Sequence, residues 1–397
     1  MSWNFLEKTD VGKLRHSFFD SVKMINTDHW NAVAGDKNVY LSIDYLQALE
    51  DSLWGAINFR YIVFYNSKYK PVGVATVQIL DFVDKKEKYG DAFCALGQKV
   101  KHKLLGHLDM KVMVCGNVFS TGENGFLYTD EVAPENAYIN LSNALYRLRR
   151  SEKINGRISI ILLKEFWPAS YKNTEVLKVH DFRGFNIDVN MVLKIHESWN
   201  TMDDYLDSMV SKFRTKAKSV FKRSAALSSR EMSAEDINAN SATIIQLYES
   251  VLENADFTFG ELNGASFVNF KKHLADKFIF KGYFLDDKLV GFSSAFISND
   301  FIDANYVGLD YSVNHDYSLY QKMLYDYTEL AIEKGVSELR FGRTAEEIKS
   351  CLGAEPTDMK LYVKHRNAVS NKLIKPLIEA ISPSKYELRK PFKASFV

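Results

Sequence analysis

Between Phe301 and Gly353 the sequence gathers side chains able to take up, hold and pass on protons. In FIDANYVGLDY, strand alternation puts Asp303 and Asn305 on one face and Ala304 and Tyr306 on the other. A carboxylate so placed can act as a general base, and an amide or phenol can hold a developing oxyanion or protonate a leaving group. Asp310 and His315 stand in the polar segment SVNHD and its flank, and Tyr317 and Tyr320 open the helical pattern that follows. Arg343, Glu347 and Lys349 come after the pattern ending in ELRFGR. The guanidinium of Arg343 offers a bidentate fork to a carboxylate or a phosphate. Each of these residues also has an ordinary reading as a surface charge or a capping group, and His315 reads first as a loop histidine. Tyr325 and Tyr327 read as packing residues, and no histidine pattern accompanies Cys351 to make it a nucleophile.

The elements that must position these groups are a hairpin (FIFKGYFLD, KLVGFSSAFIS), the strand FIDANYVGLDY, a polar loop, a long helix and a last strand at Ser337–Phe341. The same order occurs earlier, as FRYIVFYN with PVGVATVQILDF, then MKVMVCGNVFS, PENAYINLSNALYRLRR and RISIILLKEF. Lys70, Val72, Gly73 and Ile79 match Lys288, Val290, Gly291 and Ile297 in type and spacing. This points to an internal duplication. The fold class expected is α+β, two tandem domains each with a mixed or antiparallel sheet flanked by helices. Their bounds are 1–195 and 196–365, followed by an extension at 366–397. In the first 55 residues, LRHSFFDSVKMI and IDYLQALEDSLW carry helical spacing, the second with Ser42 as its cap. Residues 84–109 read as a polar excursion with a short helix. NIDVNMVLKIHESW alternates as a strand, and a single long helix opened by Thr201 follows it.

Net charge is only +1, but it is unevenly spread. Ser208 to Arg230 holds seven basic residues and no acid, and Lys364 to Val397 holds eight against two acids. The basic helix, with Lys212 and Arg214, has three readings: a solvated face, a clamp for a phosphate-bearing donor or acceptor, or an RNA contact. The block 366–397 reads as docking on the domain or lying on an anionic membrane surface. No run of about 18 apolar residues occurs, and MSWNFLEKTD does not read as an export signal. Three cysteines, widely spaced, give neither a disulfide framework nor a metal-ligand spacing, so no metal is expected. The expected place is the cytoplasm, with peripheral contact to the inner membrane through 366–397.

A hairpin, a strand running to a helix N-terminus, the helix and a following strand form the core of GNAT acyltransferases, and this chain resembles two of them in tandem. The nearer likeness is to the Fem-like branch, carried by YLDSMVSKFRTKAKSVFKR, by the run from ANYVGLDY to ELRFGR, and by TAEEIKSCLGAEPTDMKLYVKHRN. The resemblance implies N-acyl transfer from a thioester to an amine, a lipid or cell-envelope precursor among the acceptors. Acyl-CoA or an acidic acyl carrier protein is then a co-substrate, with no tightly bound cofactor. A Fem-like transfer from aminoacyl-tRNA to a peptidoglycan precursor is the alternative, and a catalytically degenerate pair acting as a binding module is another. One departure stands out: the glycines of the family's phosphate loop are absent between Gly308 and Gly335. The first half offers GNVFSTGENG, which reads first as a turn.

Overall fold

The computed structural model describes residues 12–82, 110–254, 260–379 and 386–396. The expected excursion at 84–109 lies outside the described residues. The first half contributes β1 (Arg15–Phe19), β2 (Asn58–Tyr65), β3 (Pro71–Phe82), β4 (Met110–Cys115), β5 (Phe126–Tyr128), β6 (Ile158–Phe166) and β7 (Arg183–Lys194). The second contributes β8 (Ser228–Glu231), β9 (Phe278–Leu285), β10 (Lys288–Ile297), β11 (Phe301–Leu309), β12 (Glu338–Arg340) and β13 (Glu355–His365). All join one 13-stranded sheet in the order β1-β2-β3-β4-β6-β13-β7-β12-β11-β10-β9-β8, with β5 beside β3.

That order reads alike from either edge once β1 is matched with β8, β2 with β9, β3 with β10, β4 with β11 and β6 with β12. The parallel steps also match: β4 lies parallel to β6, and β11 to β12. Each needs a crossover, supplied by the helices α3 (Pro134–Ser151) and α10 (Leu319–Lys334) defined in the sequence by their spacing. The central strands are exchanged. β7, from the first half, pairs with β12 of the second, while β13, from the second, pairs with β6 of the first. β7 and β13 then pair with each other, so the two expected sheets are fused into one.

The remaining described α-helices of five residues or more are α1 (Thr27–Ala34), α2 (Ile43–Leu53), α4 (Met202–Ser208), α5 (Ser211–Arg223), α6 (Ala234–Ala239), α7 (Ser241–Leu252), α8 (Gly264–Leu274), α9 (Tyr311–Tyr317), α11 (Glu346–Ser350) and α12 (Ala368–Glu379). Alternation in β2 sends Tyr61 and Val63 to one core and Ile62 and Phe64 to another. The first of these cores spans both halves, with Tyr45 of α2 stacked on Phe270 of α8 at 5.3 Å and Phe270 edge-on to Phe296 at 5.2 Å. α2 begins where Ser42 accepts a hydrogen bond from the Tyr45 amide, and α3 has Pro134 in its first turn, as expected.

Three local expectations are corrected. Residues 15–19 form β1 rather than a helix, because the segment completes the edge beside β2, with Phe18 opposite Ile62. The polar loop SVNHD is helical in α9, whose N-cap Asp310 accepts from the Ser312 amide. The single helix after Thr201 is two, broken at Met209–Val210. There the Val210 amide donates to the Pro391 carbonyl at 2.8 Å, and Met209 bridges Phe392. Residues 386–396 are therefore docked. Phe392 lies 5.2 Å from Trp199 and 5.9 Å from Tyr205 between ring centres, and Arg389 pairs with Glu347.

Candidate active site

Where β11 runs beside β10, Ser293 faces Val307 and Ala295 faces Ala304, so Asn305 and Tyr306 together oppose Ser294. This bulge breaks the alternation that the sequence suggested. Tyr306 no longer points away from Asp303 and Asn305; all three reach into the first half. The Tyr306 hydroxyl donates to the Phe119 carbonyl, and Asn305 Nδ2 donates to the Tyr40 hydroxyl at 2.8 Å.

Asp303 is 1% exposed, and neither of its carboxylate oxygens has a hydrogen-bond partner of good geometry. Burial pushes its carboxyl up to about 6, against the pull of Arg340 and of the nearby Tyr40 hydroxyl. Arg340 only partly compensates, since it pairs with Glu338 at 3.0 Å and lies over the Phe301 ring at 3.6 Å. Burial, and secondarily the Asp303 charge, hold the Tyr40 phenol well above its ordinary value, so it remains a proton donor. Tyr45 joins the group, its hydroxyl accepting from Asn117 Nδ2 at 2.7 Å.

The facing loop of the first half, residues 116–125, is held by charges of a different kind. Lys164 and Glu165 end β6 with both side chains buried. Lys164 Nζ donates to the carbonyls of Asn117 (2.9 Å) and Ser120 (2.6 Å), and burial pushes its ammonium down to about 8. Glu165 accepts from the Gly122 amide at 3.0 Å and pairs with Arg343 of the second half. Asn190 of β7 ties the same parts, donating to Thr121 Oγ1 at 2.8 Å and accepting from the Gly342 amide at 3.1 Å. The loop thus reads as a turn in the sequence and folds as a polar strap. One further carboxyl lies in it: burial pushes Glu123 up to about 7, its Oε1 has no partner, and Arg340 opposes the shift.

The structure thus brings Asp303, Asn305, Tyr306 and Arg343 to one junction. Lys349 is buried beside it, with Nζ donating to the carbonyls of Gly342 and Arg343, so it positions Arg343 rather than facing a ligand. It does not bring the others there. Asp310 caps α9 at the opposite end of β11, about 23 Å along the strand from Asp303. Glu347 is tied to Arg389, and this pairing holds its carboxyl below the usual range. Tyr320 is largely buried against Met323 and Leu319, and its amide N–H is already used, donating to Asn314 Oδ1 at 2.8 Å. Tyr317 is the half-buried last residue of α9, and His315 is exposed, paired with Asp316 at 3.0 Å. Lys212 and Arg214 lie on α5, the latter paired with Asp207 at 3.1 Å. Buried Cys351 lies 3.4 Å from Lys216 Nζ.

Sequence reasoning missed Tyr40, Glu123, Lys164, Glu165 and Arg340. One signal was present: Lys164 and Glu165 interrupt an apolar strand run, and a charged pair there needs buried partners. Nothing local marks Tyr40.

Solved structures share this architecture. FemX matches over 91% of this chain and 100% of its own with a TM-score of 0.55 at 11% identity. L-PGS from Bacillus licheniformis covers 88% of this chain and 95% of its own, with a TM-score of 0.50 and 11% identity. A tandem GNAT protein from the clavulanic acid biosynthesis pathway covers 89% and 99%, with a TM-score of 0.50 and 10% identity. The chain therefore has the tandem GNAT-like fold that its sequence resembles. No family model and no curated protein matches the sequence.

Proposed function

We propose that this chain is an N-acyltransferase whose chemistry takes place at the junction of its halves, with Asp303 as the general base. The observation that carries the reading is Asp303 itself: a buried carboxylate beside the Tyr40 hydroxyl but with no hydrogen bond of good geometry, raised to about 6, at a bulge in the strand beside the parallel step of the sheet. Asp303 takes a proton from the ammonium of the acceptor. The freed amine attacks the thioester carbonyl, the carbon–nitrogen bond forms, and the carbonyl electrons move to oxygen, where a tyrosine hydroxyl such as that of Tyr40 donates a hydrogen bond. On collapse the carbon–sulfur bond breaks, and the second nitrogen proton leaves with the thiol. Because Asp303 is closed off, substrate entry requires the strap 116–125 to move from Tyr45 and Tyr306.

The donor is a thioester, acyl-CoA or an acyl carrier protein. At the start of α10 a phosphate group finds the Tyr320 amide already taken by Asn314 and the acid Asp310 nearby at the cap of α9. In the first half the start of α3 has no side-chain cap and borders a cavity of about 420 Å³ lined in part by Lys13, Asn66 and Asn136. The second reading, transfer from aminoacyl-tRNA, is supported by exposed Lys212, Lys218 and Lys222 on α5.

The test is thiol release from a panel of CoA and carrier-protein thioesters with amine acceptors, run beside Asp303→Asn. Turnover that is lost in the variant supports the reading. Turnover unaffected by Asp303→Asn overturns the assignment of the base. Release of an amino acid from copurified tRNA, with no thioester used, replaces the donor. Binding of thioesters without any turnover makes the chain a binding module.

A further inference from the structure

At one end of the sheet, away from the junction, three separate stretches of chain meet. The Arg366 amide donates to the Ser159 carbonyl at 2.9 Å, which sets the end of β13 against the start of β6. Lys364 Nζ donates to the His180 carbonyl at 2.7 Å, and Asn371 of α12 donates to the Asp181 carbonyl at 2.8 Å. The last turns of α3 lie against the same place, because Arg149 and Tyr146 both act electrostatically on Lys364, and Arg149 also acts on Arg366.

This end displays large apolar side chains that none of the described residues covers. Ile154 is 94% exposed, Val179 82%, Val369 68%, Leu373 49% and Tyr146 44%. Between and around them stand Arg147, Arg150, Lys153, Arg157, Arg366 and Lys372, all exposed. Among the described residues, the acids nearby are faced by cations: Asp181 by Lys364 at 4.0 Å, Asp81 by Lys111 at 3.7 Å and Asp20 by Arg60 at 3.2 Å. Like charges crowd here. Burial and the neighbouring Arg366 lower the Arg149 guanidinium, whose Nη1 has no hydrogen-bond partner.

We infer that this end of the molecule is a docking surface for an anionic lipid bilayer. Basic side chains ringing exposed aliphatic tips match both layers of such a surface: cations meet the headgroups while Ile154, Val179, Val369 and Leu373 enter the acyl boundary. A polyanion such as RNA would satisfy the charges and leave the aliphatic tips in water, so the bilayer fits better. The contact differs from one made by residues 366–397 alone. Of the described residues in that block, the start of α12 takes part, and residues 386–396 are docked elsewhere, on α4 and α11. The inference does not depend on the chemistry proposed for Asp303.

The experiment is cosedimentation of the full chain with vesicles of phosphatidylcholine alone and of phosphatidylcholine with phosphatidylglycerol. The chain is expected to pellet with the anionic vesicles only, and less so at high salt. Arg150→Glu with Arg366→Glu should weaken partition about 25-fold or more, at about fivefold per basic charge removed. Ile154→Glu with Val369→Glu should weaken it about tenfold or more. Tyr311→Glu, at an exposed aromatic of the second half, should leave it unchanged. Because these side chains are exposed, each variant should keep the parent's melting temperature, which separates loss of binding from loss of fold. No binding to anionic vesicles overturns the inference. So does the pattern in which the arginine changes abolish binding while the Ile154 and Val369 changes do nothing; RNA gel shifts with the same variants would then identify a polyanion surface.

Discussion

The two halves repeat one plan, yet they treat charge at the parallel step in opposite ways. In the first half β4 leaves β3 at Gly116, β5 takes its place, and the intervening strap is fastened by Lys164 and Glu165, whose charges meet carbonyls, an amide and Arg343. In the second half β11 stays beside β10, bulges at Asn305–Tyr306, and leaves the Asp303 carboxylate buried with no hydrogen bond of good geometry and no close ion pair. A buried charge that is paired and hydrogen-bonded costs little once folded, whereas one left alone costs free energy that packing elsewhere must offset. One copy of the fold has thus become a fastening, and the other holds the carboxylate to which the proposed function assigns the proton transfer.

Asp303→Asn tests that difference most strongly. Acyl transfer should fall about 100- to 10,000-fold, the loss expected when a general base is removed. In the parent the rate should rise with pH through about 6, as the carboxyl loses its proton. Stability should move the other way. The folded carboxyl sits at about 6 against an ordinary value of 3.8, so it favours the folded state at low pH, and that support is lost as pH rises through 6. At pH 8 the ionised group costs up to about 3 kcal/mol, which asparagine relieves. Melting curves of the variant at pH 8 should therefore lie above those of the parent. A variant that melts lower there would break the contrast, because Asp303 would then be a structural partner like Glu165.

Arg343→Ala should show the converse. It removes the closest cation from Glu165, which is fully buried and keeps Lys164 at 3.7 Å and the Gly122 amide, and should cost about 1.5–3 kcal/mol in urea unfolding. Adding Glu165→Gln should recover part of that loss, since the carboxylate that has lost its closest cation is then neutral. If the double variant is no better than Arg343→Ala, the pair is not the fastening that joins the halves.

The glycines at matched places, Gly73 and Gly291, sharpen the comparison at smaller scale. A methyl group at Gly291 would lie 2.8 Å from Met323 Cε, 2.9 Å from Leu319 Cδ2 and 3.0 Å from the Gly308 carbonyl oxygen. At Gly73 the nearest atom is Phe64 Cδ2 at 3.3 Å. Gly291→Ala should therefore cost about 1–3 kcal/mol in urea unfolding, and Gly73→Ala less than about 1. Equal costs would mean that the shared letters mark one constraint rather than two.

How far the sequence reveals all this depends on the range of the forces involved. The hairpins, the crossover helices and the capped starts at Ser42 and Thr201 are local, and periodicity and capping residues announce them. The exchange of β7 and β13 is not legible, because NIDVNMVLK alternates like any half-buried strand and does not name its partner. The site was legible in part. Alternation placed Asp303 and Asn305 together, as the structure has them, but it put Tyr306 on the other face, since a bulge one residue long reverses the alternation. Tyr40 and Arg340 become functional candidates only through contacts made across the chain. The break at Met209–Val210 was equally hidden, because it is imposed by Pro391 and Phe392 from the far end of the sequence.

The smallest effect concerns how each half bears backbone strain near its parallel step. In the first half the positive-φ positions of the strap are glycines, Gly116 at 142° and Gly122 at 94°, which adopt such angles without steric cost. The second half places Thr344 at 61° and Ala345 at 53°, directly after Arg343. Left-handed backbone costs a non-glycine residue about 1–2 kcal/mol, so something must hold this turn. The holders are Lys349, whose Nζ donates to the Gly342 and Arg343 carbonyls, and the Arg343–Glu165 pair. Ala345→Gly removes the steric cost but adds backbone entropy to the unfolded chain, worth about 0.5–1 kcal/mol in the opposite sense. The net expectation is a gain of up to about 1 kcal/mol in urea unfolding. In an Arg343→Ala background, where one holder is missing, the same change should gain more, because the strained turn is then less well supported. A loss in both backgrounds would show that the Ala345 methyl packs more than it strains, and the turn would then belong with the fastening rather than with the site.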